Sequence, residues 1–185
     1  MKTYTIIGGV NGTGKSSLTG VLRSQVSDLG TIIDIDKITV EAGGNDLIGG
    51  KIALQKIRSC LDKGVSFTQE TTLSGHFVAK TAREALEKGY YIRLYYVGLD
   101  SIEESLYRIK NRVRNGGHNI PEDVVSRRFG SRWEALAAVL PYCNEATFFD
   151  NRNGFVEVAT YKNGEIIPNG NISPAWLRDM LNNIR

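Results

Sequence analysis

The pattern of apolar and polar residues alternates along the chain between two types of segment, one typical of strands and one typical of helices. Short runs of β-branched and apolar residues predict strands, and segments with apolar residues three or four positions apart predict helices. The predicted strands cover residues 3–8, 31–36, 65–69, 90–98 and 146–149. The predicted helices cover residues 14–29, 47–61, 76–87, 100–115 and 121–140, with a last helix that begins at Ser173 and Pro174.

This alternation of strands and helices indicates an α/β fold with a mainly parallel sheet covered by helices on both faces, in three layers. Residues 155–167 depart from it, because Lys162-Asn163-Gly164 predicts the turn of a C-terminal β-hairpin. No linker or internal repeat divides the 185 residues, so we expect a single domain over 1–185.

Composition narrows the class of protein. Apolar residues make up 41% of the chain and charged residues 23%, which is typical of a globular protein. Apolar runs stay well short of the length that spans a membrane, and the first residues lack a signal-peptide core, so we expect a cytoplasmic protein without a membrane partner. The two cysteines and two histidines lack metal-ligand spacing, which disfavours a disulfide framework and a structural zinc site.

A glycine-rich loop lies between the first predicted strand and helix. Residues Gly9 to Ser16 fit the phosphate-loop pattern G-x-x-x-x-G-K-[ST] at every position. Lys15 would reach the β and γ phosphates of ATP or GTP, and the Ser16 hydroxyl would bind Mg²⁺. The bland alternative is a flexible turn with a solvated lysine. The residues predicted to bind nucleotide are Gly9, Asn11, Gly12, Thr13, Gly14, Lys15, Ser16 and Ser17.

Two groups of acids follow predicted strands, at the edge of an open α/β sheet where ligands bind. Strand alternation would place Asp34 and Asp36 on one side, and we predict that Asp36 takes the proton from an acceptor hydroxyl. Asp34 is the second candidate for this base, and contact with Mg²⁺ through water is its other predicted role. An isolated aspartate can equally cap a helix or form a turn.

Glu70 belongs to a cluster of hydroxyl-bearing residues over 67–75. Glu70 and Thr71 are therefore predicted to bind the small-molecule substrate. The alternative is that this polar segment caps the following helix. Both roles can hold for different residues, with Ser74 as the cap and Glu70 facing the crevice.

Basic residues are concentrated between Arg108 and Arg132, where seven arginines and lysines stand against two acids in a chain of net charge +3. Arg108 and Arg112 share one helix face, as do Arg128 and Arg132, and the Gly116-Gly117 turn would let a lid over about 108–140 fold these arginines over the bound nucleotide. Among them Arg112 and Arg128 are the predicted catalytic arginines, since a kinase needs positive charge around the transferred phosphoryl group. Arg127 and His118 are the lid residues predicted to touch substrate. A solvated basic face is the alternative, and the scarcity of aromatic residues disfavours a nucleic-acid partner.

These segments together resemble the zeta-toxin family of phosphate-loop kinases. The matching residues are 8–17, Asp34-Ile35-Asp36, 70–75, 112–121, Arg127-Arg128-Phe129 and Asp150-Asn151. The resemblance implies a phosphate-loop NTPase fold and a kinase that uses ATP or GTP with Mg²⁺. It also implies UDP-N-acetylglucosamine as acceptor and a small antitoxin-like protein as partner. By motif match, Lys15 and Ser16 hold phosphates and metal, Asp36 is the base, Glu70 binds substrate, and Arg112 with Arg127 or Arg128 clamps the γ phosphate.

The leading hypothesis is a kinase that phosphorylates a hydroxyl of a nucleotide-sugar or related metabolite. A nucleotide-dependent switch, or an ATPase that binds a protein partner through its arginines, is the alternative.

Overall fold

The structure is a computed structural model that describes residues 1–170 and 173–184. Its strands are β1 Thr3–Gly8, β2 Thr31–Asp34, β3 Phe67–Thr71, β4 Tyr91–Gly98, β5 Glu145–Asp150, β6 Val156–Lys162 and β7 Glu165–Pro168. Its helices are α1 Lys15–Gln25, α2 Ile35–Glu41, α3 Asp46–Lys63, α4 Phe77–Glu87, α5 Ile102–Arg114, α6 Glu122–Gly130, α7 Arg132–Val139 and α8 Ala175–Asn183, with a 3₁₀ turn over Leu140–Tyr142.

All seven of these strands form one sheet in the order β2-β3-β1-β4-β5-β6-β7. The first five strands in this order, which include β1, run parallel to one another. Strands β6 and β7 add antiparallel pairs at one edge. The mainly parallel sheet and the C-terminal hairpin are therefore confirmed. Asn163 and Gly164 both have positive φ, as the predicted tight turn requires.

Side chains of the central strand β1 point alternately to the two faces of the sheet. Tyr4 and Ile6 belong to a large core cluster that includes residues of α3, α4, α7 and α8. Ile7 belongs to a smaller cluster with Leu18 and Leu22 of α1. Helices thus cover both faces, and α1 lies on the face opposite α3 and α4.

Several predicted boundaries differ from the structure, and three of the differences affect residues of the predicted site. Strand β2 ends at Asp34, because the Asp34 carboxylate accepts a hydrogen bond from the Lys37 amide and caps α2, a helix that the pattern did not predict. Strand β3 lies two residues later than predicted, so that Glu70 is part of the strand. The helix predicted over 121–140 is two helices with Ser131 between them.

Two expectations from composition can be compared with the structure. Cys60 and Cys143 are both buried and free. Among the helices that the structure describes, none combines the length and the hydropathy needed to span a bilayer.

Candidate active site

The phosphate loop connects β1 to α1. Gly9, Gly12 and Gly14 have φ values of 143°, 80° and 95°, which residues with a side chain rarely adopt. A Cβ atom at Gly9 would also lie 2.5 Å from the carbonyl oxygen of Val97, at the end of β4. The glycines of the motif are therefore required by the conformation of the loop.

The side chain of Lys15 folds back over this loop. Its Nζ donates hydrogen bonds to the carbonyl oxygens of Gly9 at 2.9 Å and Val10 at 3.1 Å. Burial lowers the pKa of the Lys15 amine, and three nearby carboxylates, of which Asp36 has the largest effect, oppose that shift. The acids therefore favour the charged ammonium form that would bind phosphate.

Glu70 connects the sheet to the first turns of α1. Its Oε2 accepts a hydrogen bond from the Ser16 hydroxyl at 2.8 Å, and its Oε1 accepts one from the Thr19 hydroxyl at 2.6 Å. The Glu70 side chain is buried, so these hydrogen bonds satisfy a carboxylate that has little contact with water. The alternative role for this segment is wrong for Ser74, because α4 begins after His76 without a side-chain cap.

Asp34 and Asp36 occupy different elements, so the predicted alternation along one strand is wrong. Asp34 is the N-cap of α2, and Asp36 lies in the first turn of that helix. Burial is the main reason that the pKa of the Asp34 carboxyl is raised, and the Glu70 and Asp36 carboxylates add to the shift. Both aspartates nevertheless line the same cavity as Lys15.

The segment predicted to be a lid, about 108–140, covers most of α5, all of α6 and α7, and the connections between them. On α6, Arg128 donates from Nη1 to Asn11 Oδ1 of the phosphate loop at 3.1 Å. Arg112, near the end of α5, donates from Nη2 to the carbonyl oxygen of His118 at 2.8 Å. Arg112, His118 and Arg128 line the cavity, whereas Arg127 is exposed and lies outside its lining.

Sequence reasoning assigned no site role to Asn151, and it placed Arg108 on the helix face expected to fold over the nucleotide without including it among the site residues. The Arg108 guanidinium donates to the carbonyl oxygens of Gly12 at 3.4 Å and Asn151 at 2.8 Å. Asn151, which follows β5, donates from Nδ2 to the carbonyl oxygen of Thr13 at 2.9 Å. The shared helix face of Arg108 and Arg112 was a usable signal for Arg108, whereas the contact of Asn151 depends on the position of β5.

One cavity of about 560 Å³ brings these elements together. Its lining includes most of the predicted site residues, namely Asn11, Gly12, Gly14, Lys15, Ser16, Ser17, Asp34, Asp36, Glu70, Thr71, Arg112, His118 and Arg128. The predicted site residues outside the lining are Gly9, Thr13 and Arg127. Thr13 has a structural contact instead, since its hydroxyl donates to the carbonyl oxygen of Val10.

Comparison with known proteins places the chain among relatives. No protein-family model matches it. An uncharacterized protein of Haemophilus influenzae is 34% identical over 126 residues, which are 65% of this chain and 88% of that protein. The chain belongs to the family of that protein.

Solved structures show which fold this family has. A chain of the AvrRxo1-ORF1:-ORF2 complex with ATP superimposes with a TM-score of 0.68 at 17% identity, covering all of this chain and 63% of that one. A chain of the PezAT toxin-antitoxin system of Streptococcus pneumoniae does so with a TM-score of 0.64 at 18% identity, covering all of this chain and 78% of that one. The family thus has the fold of zeta-toxin-like phosphate-loop kinases, and the predicted likeness is confirmed at the level of the fold. The chain spans less than two thirds of the AvrRxo1 chain.

Proposed function

We propose that the protein is an ATP-dependent kinase that transfers the γ phosphate to a hydroxyl group of a small metabolite. The observation that carries this proposal is the shared cavity, which collects the phosphate-loop lysine, two aspartates and three arginines. Phosphoryl transfer depends on positioning and on cations around the transferred group, and these residue types supply both. A nucleotide-sugar such as UDP-N-acetylglucosamine is the first acceptor to test, because the resemblance to zeta toxins implies it.

The nucleotide would lie along the phosphate loop. The N-terminus of α1 begins at Lys15, so its backbone amides and helix dipole favour phosphate oxygens there. Lys15 would exchange its hydrogen bonds to Gly9 and Val10 for the β and γ phosphates, since an ammonium binds a phosphate oxygen more strongly than a neutral carbonyl. Arg108, Arg112 and Arg128 would contact the phosphates from the lid side. GTP is the alternative nucleotide.

Oxygen atoms beside the loop fit a Mg²⁺ ion shared with the nucleotide. Within residues 1–170 and 173–184, no group of three or more histidine, cysteine, aspartate or glutamate side chains is arranged to hold a metal. Mg²⁺ bound to ATP needs fewer protein ligands, because phosphates and waters supply the rest. The Ser16 hydroxyl would be a ligand, with Glu70 or Asp34 bound directly or through water, and the ion would neutralise charge on the phosphate oxygens.

The acceptor would enter from the side of α2 and α4. Polar side chains of Thr71, Thr72 and Ser74 line this part of the cavity, together with the exposed ring of Phe77. Asp36, exposed at the start of α2, would accept the proton of the attacking hydroxyl. The acceptor oxygen would then bond to the γ phosphorus as the bond to the leaving ADP breaks.

Labelled ATP and a metabolite extract test this proposal. The chain is incubated with γ-labelled ATP and either the extract or UDP-N-acetylglucosamine, and products are identified by mass spectrometry. We expect a phosphorylated metabolite from the unmodified chain, and a loss of product with Lys15→Ala or Asp36→Asn. The matched controls are Lys51→Ala and Asp62→Asn, which change exposed residues of α3. Equal product from Lys15→Ala, or no phosphorylated product from any acceptor, would refute the proposal.

A nucleotide-dependent partner-binding protein is the second candidate. A groove of about 580 Å³ beside the lid is lined by Tyr107 and Val113, both exposed, and by Lys110 and Arg114. An antitoxin-like protein is the partner we propose for either function, since the PezAT structure is that of a toxin-antitoxin system. Affinity for such a partner that changes with ATP, without any phosphorylated metabolite, would favour this candidate over the kinase.

A further inference from the structure

Gln69 lies in β3 next to Glu70, with its side chain on the opposite face of the sheet. In the parallel registers of the sheet it pairs with Ile6 of β1 and Ile33 of β2. Its side chain is fully buried, and Gln69 is one of the residues that line the cavity of the candidate site. A buried polar residue therefore belongs to the wall of that cavity.

The amide nitrogen of Gln69 has no hydrogen-bond partner. Among buried side-chain atoms of the described residues, only Thr5 Oγ1, Gln69 Nε2 and Arg132 Nε lack one. Gln69 is the one of these three residues that lines the cavity. A buried donor without an acceptor is costly, so its retention at this wall calls for a reason.

Tyr4 is the partner of the other end of the Gln69 amide. The Tyr4 hydroxyl, which belongs to the large core cluster, donates to Gln69 Oε1. With Oε1 accepting this hydrogen bond, Nε2 is the end of the amide that is left as a donor without a partner.

We infer that Gln69 Nε2 donates a hydrogen bond to a neutral oxygen of the acceptor substrate and so selects and positions it; this rests on the proposed kinase function. Gln69 contacts Tyr4 of the large core cluster, whereas Glu70 contacts Ser16 and Thr19 of α1, so the two side chains lie on opposite faces of the sheet. Ile35, Phe77 and Val78 line the same cavity from α2 and α4, and they suit an apolar or ring surface beside that oxygen.

A carbonyl oxygen fits this position best. The carboxylates of Asp34 and Asp36, at the start of α2, line the cavity on that side and disfavour an anionic group there. In a nucleotide-sugar the carbonyl could belong to an acetamido group or to a nucleobase. UDP-N-acetylglucosamine has both, whereas UDP-glucose has only the base carbonyls, so the two probes distinguish the sources.

Steady-state kinetics with paired variants test the inference. Gln69→Met alone would remove the acceptor of the Tyr4 hydroxyl, so the informative comparison is the double variant Tyr4→Phe, Gln69→Met against Tyr4→Phe. Loss of one hydrogen bond should raise KM for the acceptor roughly 5–10-fold, with KM for ATP nearly unchanged. Thr5→Val is the matched control, because it removes a buried, unpartnered oxygen that does not line the cavity.

The outcomes distinguish a failure of the role inferred for Gln69 from a failure of the proposed kinase function. A rise in KM with UDP-N-acetylglucosamine alone assigns the oxygen to the acetamido group, and a rise with both probes assigns it to the base. Unchanged acceptor KM in the double variant, with turnover intact, would overturn the role of Gln69 and leave the kinase function standing. If the unmodified chain phosphorylates neither these probes nor any component of a metabolite extract, both proposals fail.

Discussion

The Ser16 hydroxyl donates a 2.8 Å hydrogen bond to Glu70 Oε2, which connects the phosphate-loop helix directly to the strand beside β1. Thr19, one turn further along α1, donates to the other carboxylate oxygen at 2.6 Å. Glu70 is therefore held by α1 on both oxygens, and only one of the two donors, Ser16, lines the cavity. Removing the Thr19 hydrogen bond therefore tests a structural role of Glu70, and changing the Glu70 charge beside Ser16 tests a role in metal binding.

Glu70→Gln should weaken the binding of the Mg²⁺ ion that the reaction needs. The substitution keeps the shape of the side chain but removes the charge beside the proposed metal ligand Ser16. Residues that orient metal ligands typically contribute about 10–100-fold to metal affinity or activity. We expect the Mg²⁺ concentration for half-maximal turnover to rise by that order, as measured by titrating Mg²⁺ at saturating ATP.

Thr19→Val is the control for this measurement. It removes the other hydrogen bond to Glu70 and should lower the melting temperature without moving the Mg²⁺ midpoint. If Glu70→Gln shifts only the melting temperature, Glu70 stabilises the packing of α1 on β3 and has no part in binding the metal.

The sequence predicted the structure best where the backbone conformation allows only one type of residue. The phosphate loop could be located because its positive φ angles at Gly9, Gly12 and Gly14 require glycine at fixed spacing. The acids Asp34 and Asp36 were placed at the correct edge of the sheet, and Asp34 on the correct strand, but Asp36 lies in α2 and not in β2. Strand alternation seemed to continue through Ile35, whereas the Asp34 carboxylate ends the strand by capping α2. A local hydrogen bond decided between two patterns that the same residues allow.

The two neighbouring arginines of α6 offer a sharp test of the lid. Arg128 contacts the phosphate loop and lines the cavity, whereas Arg127 is exposed outside it. An arginine on the transferred phosphoryl group can contribute roughly 10³-fold to kcat, and a solvated arginine contributes almost nothing. We therefore expect Arg128→Ala and Arg112→Ala to lose about that factor, and Arg127→Ala to retain nearly full kcat in a coupled ADP-release assay.

A large loss in Arg127→Ala, with little change in Arg128→Ala, would mean that α6 rotates when nucleotide binds. Equal and small effects in both would show that α6 does not supply charge to the reaction.

The lid also shows why the sequence alone left the choice between Arg127 and Arg128 open. Adjacent residues on a helix point about 100° apart, so only one of them can face the loop. The helical period appeared to run unbroken over 121–140, but the helix stops at Gly130 and restarts at Arg132. The side of α6 that faces the cavity is then set by tertiary packing, which no local pattern records.

Packing between β4 and α8 predicts a large difference between two glycine substitutions. A Cβ atom at Gly98 would lie 2.1 Å from the ring of Trp176, which is fully buried and donates from Nε1 to Asp150. Gly98→Ala should destabilise the fold by about 1–3 kcal/mol through overpacking. Gly20→Ala, at an open position of α1, should stabilise it by about 0.4–1 kcal/mol. Urea unfolding of both variants measures the difference, and equal stabilities would mean that α8 is not docked against Gly98.

The Asp34 carboxyl lowers the free energy of unfolding by an amount that depends on pH. Its pKa is raised mainly by burial, so the folded protein binds this proton more tightly than the unfolded chain does. The resulting cost is absent below the unfolded pKa of about 3.9, grows as pH rises towards the folded pKa and is complete above it. Asp34→Asn removes the charge and keeps a side-chain oxygen to cap α2.

We therefore expect Asp34→Asn to raise the melting temperature by a few degrees at neutral pH, and to have little effect at about pH 4 or below. Melting curves over this range, followed by circular dichroism, measure the effect, with Asp62→Asn on the exposed face of α3 as the control. A stabilisation independent of pH would show that the raised pKa is not its cause. Loss of kinase activity in the more stable variant would mean that the charge at Asp34 is retained for function, because stability alone favours its removal.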